Sequence, residues 1–373
     1  MKEVQVDLFN GNGRAVGEVA NLLMGNGQLN VGKMRPFIGR DGRAYITVFT
    51  GGDTKAISSY KTFPIQTNAT LRRDEWKQLD DALIVASRDR LGGIDDLIKN
   101  GLTYNLGNAM GTTVLEWHDV NDAFEAEVTM DGVTKSRGDR PNFQFNYIPI
   151  PIIHVDYEIN MRALSASRSL GNPLDTTSAE MAARRINEKL EDMLFTDTSY
   201  SFGEKDDRSR NTNYSYINYP DRNIVALSGA WSNFGSGVTG ADIIEDVLDL
   251  KQASINAKHY GPSWMLYIPT TFETVLDNDY DTSTPGTTIR ERILKIAGIK
   301  GIKIVDTLPT GNILLVQMTS DTVRLIRGMG LQNVEWNTEG NMITKYKVMT
   351  IQVPQIRSDQ NGKCGVTHGA FTS

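Results

Sequence analysis

Between residues 124 and 161 the side chains alternate with a period of two, and that pattern constrains the fold more than any other stretch. Phe124, Ala126, Val128 and Met130 take one phase, and Glu125, Glu127 and Thr129 take the other. Such alternation places one face of a β-strand on something apolar and the other in water. Asp131-Gly132 supplies a turn, and polar residues through to Pro141 widen the tip. A second alternation follows in Phe143, Phe145 and Tyr147. After the Ile148-Pro149-Ile150-Pro151 break comes a third, with Ile153, Val155, Tyr157, Ile159 and Met161 set against His154, Asp156, Glu158, Asn160 and Arg162. The reading is a long, thin hairpin with a polar tip. Two strands alone are marginal in water, so the hairpin needs a support. Either it joins a larger sheet of its own chain or it reaches onto a neighbour, and the residues by themselves favour the first.

The flanking sequence supplies helices. Asp74 caps an expected helix through about residue 90, with Trp76, Leu79, Leu83 and Ile84 on one face and Gly92-Gly93 ending it. Thr177, with Glu180 three residues on, predicts a capping box for the strongest helix. There Ala179, Ala182, Ile186, Leu190 and Met193 form a narrow apolar stripe, with Glu180–Arg184 and Arg184–Glu188 pairs on the outer side. Further helices are expected at 241–257, 272–276 and 289–297. Strands are expected at 44–49, 264–268, 302–305, 313–318, 323–326 and 346–353. Residues 1–70 are punctuated by glycine and asparagine and read as an extended arm. The mixture is α+β.

With 373 residues, 39% of them hydrophobic and 23% charged, the chain has material for a sizeable core. A net charge of −6 argues against a dedicated nucleic-acid binder. The charge is uneven: residues 1–75 carry ten Lys or Arg against seven Asp or Glu, so a mildly basic arm precedes an acidic body. Cys364 is the single cysteine, which excludes an internal disulfide and a four-thiolate zinc site. Met1-Lys2-Glu3 leads into no apolar run, so no signal peptide is expected, and no run of eighteen apolar residues predicts a membrane span.

The search for chemistry yields no catalytic, cofactor or metal site. Gly11-Asn12-Gly13-Arg14-Ala15-Val16-Gly17 is one residue too long for a dinucleotide loop and follows no strand. Asp277, Asp279 and Asp281 have the spacing that opens a calcium loop. Thr282 and Thr288, however, stand where that loop needs Gly and a bidentate Glu. His118, His154, His259 and His368 make no ligand-spaced pair, and Gly235-Ser236-Gly237 lacks the spacing of a nucleophile elbow. The aromatic residues Tyr214, Tyr216, Tyr219, Trp231 and Phe234 lack interleaved cations, so they read as packing residues and not as a stacking platform.

A family signal runs from residue 148 to residue 195. Pro149-Ile150-Pro151-Ile152-Ile153-His154-Val155-Asp156-Tyr157 is followed by Arg162, Ser167-Arg168 and Gly171-Asn172-Pro173-Leu174-Asp175-Thr176. Then come Ala179-Glu180-Met181-Ala182-Ala183-Arg184-Arg185 and Glu191-Asp192-Met193-Leu194-Phe195. This run resembles the hairpin-to-spine-helix junction of major capsid proteins of tailed bacteriophages, the Hong Kong 97 fold, and of the related encapsulin shells. Arg73-Asp74-Glu75-Trp76, Tyr219-Pro220-Asp221-Arg222-Asn223, Leu266-Tyr267-Ile268-Pro269 and Val316-Gln317-Met318-Thr319-Ser320-Asp321 fit the same order.

The resemblance implies an α+β shell subunit without enzymatic activity or cofactor. Its parts would be an N-terminal arm and leading helix (1–112), an extended loop (113–158), a peripheral domain with the spine helix (159–225), an axial domain (226–322), a return to the peripheral domain (323–355) and a C-terminal segment (356–373). It implies pentamers and hexamers in an icosahedral shell around double-stranded DNA, assembled in the host bacterial cytoplasm, with portal, scaffolding or decoration proteins as further partners and no membrane. The extended loop then lies on an adjacent subunit, which reverses the preference drawn from the residues alone. The contact residues it implies are Phe124, Val128, Met130, Lys135, Arg137, Phe143 and Phe145. The short arm starting at Met1 implies a separate scaffold or none. Two alternatives stand beside this reading: an encapsulin-like compartment enclosing a cargo enzyme, and a soluble enzyme with scattered site residues.

Overall fold

The computed structural model describes residues 37–49, 60–64, 71–88, 92–120, 130, 143–169, 176–202, 212–281, 286–338, 342–359 and 361–371. The chain opens with a small antiparallel sheet of β1 (Phe37–Ile38), β2 (Ala44–Phe49) and β3 (Tyr60–Pro64). Helix α1 (Arg73–Arg88) follows, burying Trp76, Leu79 and Leu83. The Gly92-Gly93 pair does not end the secondary structure here; it begins a second helix, α2 (Gly92–Lys99). The physical reason is steric. A methyl group on Gly93 would collide with Phe195 and Leu194, so only glycine lets the first turn of α2 seat against the neighbouring helix.

After β4 (Thr103–Asn105) come β5 (Val114–Val120), β6 (Phe143–Pro149) and β7 (Ile153–Asn160). Burial alternates residue by residue along β7, as its sequence predicts. Helices α3 (Met161–Ser169) and α4 (Thr177–Phe195) follow, and α4 is the long helix expected over this region. Its cap differs from the expected one. The cap residue is Thr176, whose helical backbone turns its hydroxyl away from the orphan amides, and that hydroxyl donates to Glu180 Oε1 at 2.9 Å. An outer-face ion pair joins Arg185 and Glu188 at 2.8 Å, an i,i+3 geometry. The buried face is broader than the expected stripe: Ala183, Asn187, Glu191, Leu194 and Phe195 join Ala179, Ala182, Ile186 and Leu190.

The second half runs β8 (Tyr200–Ser201), β9 (Thr212–Asn213), β10 (Asn223–Ala226), α5 (Gly240–Asn256), β11 (Trp264–Pro269), α6 (Glu273–Leu276), α7 (Ile289–Leu294), β12 (Ile299–Val305) and β13 (Asn312–Gln317). It closes with β14 (Val323–Thr338), β15 (Ile343–Ile356) and β16 (Val366–Ala370). A reciprocal cap between Thr239 and Asp242 starts α5.

Two sheets organise these elements. The first has the order β4-β14-β15-β7, with α4 packed across β7 and β15 and α1 packed on α4. Its core joins Leu79, Ile186, Leu190, Tyr346 and Val348, with Tyr346 stacked on Tyr157 at 5.1 Å between ring centroids. The second sheet has the order β10-β16-β13-β11-β12. It mixes parallel pairs (β10 with β16, β11 with β12) and antiparallel pairs (β11 with β13, β13 with β16). Its own core gathers Trp231, Ile243, Val247, Leu250, Leu266, Phe272 and Leu315. Each core holds several fully buried large side chains, each stabilising by about 1.5–3 kcal/mol. Two such units in one chain fit its length.

Candidate interaction arm

Strands β5 and β6 pair only with each other among the described residues, in register from Val114↔Pro149 to Val120↔Phe143. The third alternation seen in sequence does not lengthen this ladder. β7 turns away from it after Pro151 and becomes an edge strand on β15. Prolines at 149 and 151 cause the separation, since neither can donate a backbone hydrogen bond to continue the ladder.

Burial falls steeply from the root of β5–β6 outward. At the root, Ile148 and Ile150 are buried against Ile326, Ile351 and Val353 of β14 and β15, with Leu106, Leu115, Trp117, Met193 and Met329 around them. Asn213 Nδ2 donates to the Pro149 carbonyl at 3.0 Å, and Ile150 N donates to the Thr113 carbonyl at 2.9 Å. Four residues beyond Pro149 the support is gone. Phe145 is 48% exposed, and its ring has His118, directly opposite in the ladder, at 4.5 Å between centroids. Met130 is fully exposed. The arm is therefore anchored at its root, with Phe145 and Met130 left exposed away from it.

Of the seven contact residues implied by the sequence resemblance, Phe145 and Met130 are described and exposed. The backbone of Phe143 lies in β6, opposite Val120. Phe124, Val128, Lys135 and Arg137 lie outside the described residues, as does the 124–129 alternation.

The other sequence candidates are dispersed. Asp277 is held by Arg290, with Nε at 2.7 Å from Oδ1, which commits its carboxylate to an arginine. Cys364 is fully buried, and burial pushes its thiol up to about 12, far from the acidity a nucleophile needs. His368 sits between Arg222 Nε at 3.2 Å and Asn312 Oδ1 at 2.7 Å. Burial, with the arginine charge adding to it, lowers its pKa to about 4. His259 bonds Gln317 at 3.0 Å, 58 residues away in sequence. Tyr216 and Trp231 are buried in the two cores, so these aromatics are packing residues, as their sequence context predicts. Among the described residues no three His, Cys, Asp or Glu side chains gather as metal ligands, and no helix is long and apolar enough to cross a membrane.

A sheet crossed by a long helix, a second mixed sheet, and a ribbon rooted on the first of them together make the Hong Kong 97 capsid fold. The chain matches the virus-like particle of Pyrococcus furiosus with a TM-score of 0.54 at 16% identity, over 79% of this chain and 98% of that one. It matches the capsid of Myoviridae phage XM1 with a TM-score of 0.55 at 9% identity, over 75% and 92% of the two chains. The capsid of a native GTA particle matches with a TM-score of 0.54 at 12% identity, over 77% and 93%. At the level of family, residues 66–369 match the model of a family of unknown function, DUF6260, and the chain belongs to that family. No curated protein matches it by sequence.

Proposed function

We propose that this chain is the major capsid protein of a tailed bacteriophage, which self-assembles into pentamers and hexamers of an icosahedral shell enclosing double-stranded DNA. The observation that supports this reading is the β5–β6 ladder, buried at its root and with Phe145 half exposed further out. The capsid fold supports it independently. Residues 113–158 act as the extended loop, with Phe124, Val128, Met130, Lys135, Arg137, Phe143 and Phe145 lying on the adjacent subunit. Repeated around a closed ring, such a head-to-tail contact yields a finite shell and no exposed arm. The role is structural, with no catalytic step assigned to any residue. Packaged DNA is held without sequence readout, in keeping with the net charge of −6. Assembly takes place in the host bacterial cytoplasm, and portal, scaffolding or decoration proteins are the further partners.

Electron microscopy of the purified chain tests the proposal. Closed icosahedral particles are expected, and a protein that stays monomeric at high concentration sinks it. The contents of particles recovered from cells separate this reading from an encapsulin-like compartment: nuclease-protected double-stranded DNA supports the phage shell, and a single enriched enzyme supports the compartment.

A further inference from the structure

Helix α2 is tied through its first turn and its middle to different parts of the molecule. At its first turn, the backbone N–H groups of Gly93 and Ile94 donate to the Glu191 carboxylate of α4. Gly93 N lies 3.0 Å from Oε1 and 3.3 Å from Oε2, and Ile94 N lies 3.2 Å from Oε1. One turn on, Asp96 accepts from the Tyr267 hydroxyl of β11 at 3.2 Å and meets Lys303 Nζ of β12 at 3.4 Å. Thus one eight-residue helix ties the long helix of the first sheet to two strands of the second. Phe195 closes the junction, with its ring 5.6 Å from Tyr216 and 5.0 Å from Tyr267.

The charge in this junction is not balanced. Glu191 and Asp96 are 4% and 3% exposed, and Lys303 is the one cation that the described contacts place on the pair. Asp95 adds a second nearby negative charge on α2, and its own partner, Lys99, is exposed at 3.4 Å. The other titratable groups facing the site are Tyr216, Tyr267 and, through Tyr216, Cys364. Burial raises all three, so they stay neutral and supply no counter-charge. The Tyr216 hydroxyl is buried with no partner among the described residues. A buried carboxylate in such surroundings is easier to hold as the neutral acid, despite its helix-cap bonds.

We propose that Glu191 is a proton-sensitive latch: protonated, it holds α2 firmly to the long helix, and ionised, it lets this joint between the two sheets open. The inference does not depend on the chain building a shell. The direction follows from linkage. Burial, reinforced by Asp96 and Asp95 and opposed by the Ile94 and Gly93 amides, raises the Glu191 pKa from 4.5 to about 7. With the joint open, the side chain is solvated and titrates near its ordinary value. The closed form therefore binds the proton more tightly. Its advantage is complete below pH about 4.5 and is lost as pH rises toward about 7, at close to tenfold in the opening equilibrium per pH unit.

Hydrogen–deuterium exchange of the full chain from pH 5 to 8, corrected for intrinsic exchange, reads the latch at Gly93 and Ile94. Opening is expected to increase about tenfold per pH unit up to pH about 7 and then level off. In Glu191→Gln the same amides should show opening that does not vary with pH. Because that variant removes a buried group, Asp95→Asn supplies a second arm. It leaves the cap in place and should shift the transition to lower pH by removing one repelling charge. A pH-independent wild type, or an unchanged transition in both variants, overturns the proposal.

Discussion

The molecule contains two long antiparallel ribbons with opposite fates. β14 and β15 form a ladder running from Val323↔Ile356 to Thr338↔Ile343, flanked by β4 on one side and β7 on the other and covered by α4. β5 and β6 form a seven-pair ladder with no flanking strand among the described residues. Hydrogen bonding between the paired strands is of the same kind in both. The difference lies in what the faces touch: Tyr346, Val348, Ile351 and Val353 of the first ribbon are buried, whereas Phe145 of the second is half exposed. A ribbon becomes part of a subunit's core through its faces and its neighbours, and a ribbon lacking both is left for contact with something outside.

The sharpest way to break this contrast is to shorten the free ribbon. Val120 and Phe143 are directly paired, so replacing residues 121–142 with Asn-Gly closes a two-residue hairpin. Assembly should be abolished in electron micrographs while the circular dichroism melt of the unassembled subunit stays within a few degrees of the parent. Equal loss of both would mean that the ribbon belongs to the subunit's own core. The next largest effect should come from the embedded ribbon. Tyr346→Ala removes a fully buried ring stacked on Tyr157 and edge-on to Trp76, and should cost about 3–5 kcal/mol in urea unfolding. Ile148→Ala, at the root where the two ribbons meet, should cost about 2–4 kcal/mol, because it opens a cavity against Ile326 and Ile351. The smallest effect on subunit stability, within about 0.5 kcal/mol, is expected for Phe145→Ser at the exposed end. The same substitution should raise the protein concentration needed for assembly, as measured by light scattering. A Phe145→Ser subunit that unfolds as easily as Tyr346→Ala would erase the distinction.

How much of this was legible in sequence depended on whether a residue's neighbours were close along the chain. β7 announced itself, because one face meets the core and the other meets water. The long helix was equally plain. Its Glu191 was not, since an acidic residue on an amphipathic helix reads as solvated, and the amides that hold it belong to residues 93 and 94. α2 was hidden because Gly92-Gly93 carries the signature of a helix end; only the approach of Phe195 explains why glycine stands there. β14 was expected only through Ile326. Beyond that point Gly328 and Gly330 break the pattern, and register shifts between Arg327, Met329 and Gln332 keep the strand going as bulges. β16 was missed for another reason. Val366 through Gly369 are all buried, so the strand shows neither alternation nor helical spacing, and its short Gly-containing run resembles a loop. The alternation of β6 was visible, but the half exposure of Phe145 was not in the pattern itself; the 124–129 alternation lies outside the described residues.

The place of β16 in its sheet has a temporal consequence. It lies between β10 and β13, so the strand at residues 223–226 can pair with its sheet only after the ribosome has delivered residues 366–370, more than a hundred codons later. Until then the Leu250 side of α5 has no β16 to pack on, and Leu227 lacks the Gly369 backbone it closes over. A polypeptide still being synthesised thus holds one unfinished sheet, and that sheet closes only when residues 366–370 have emerged.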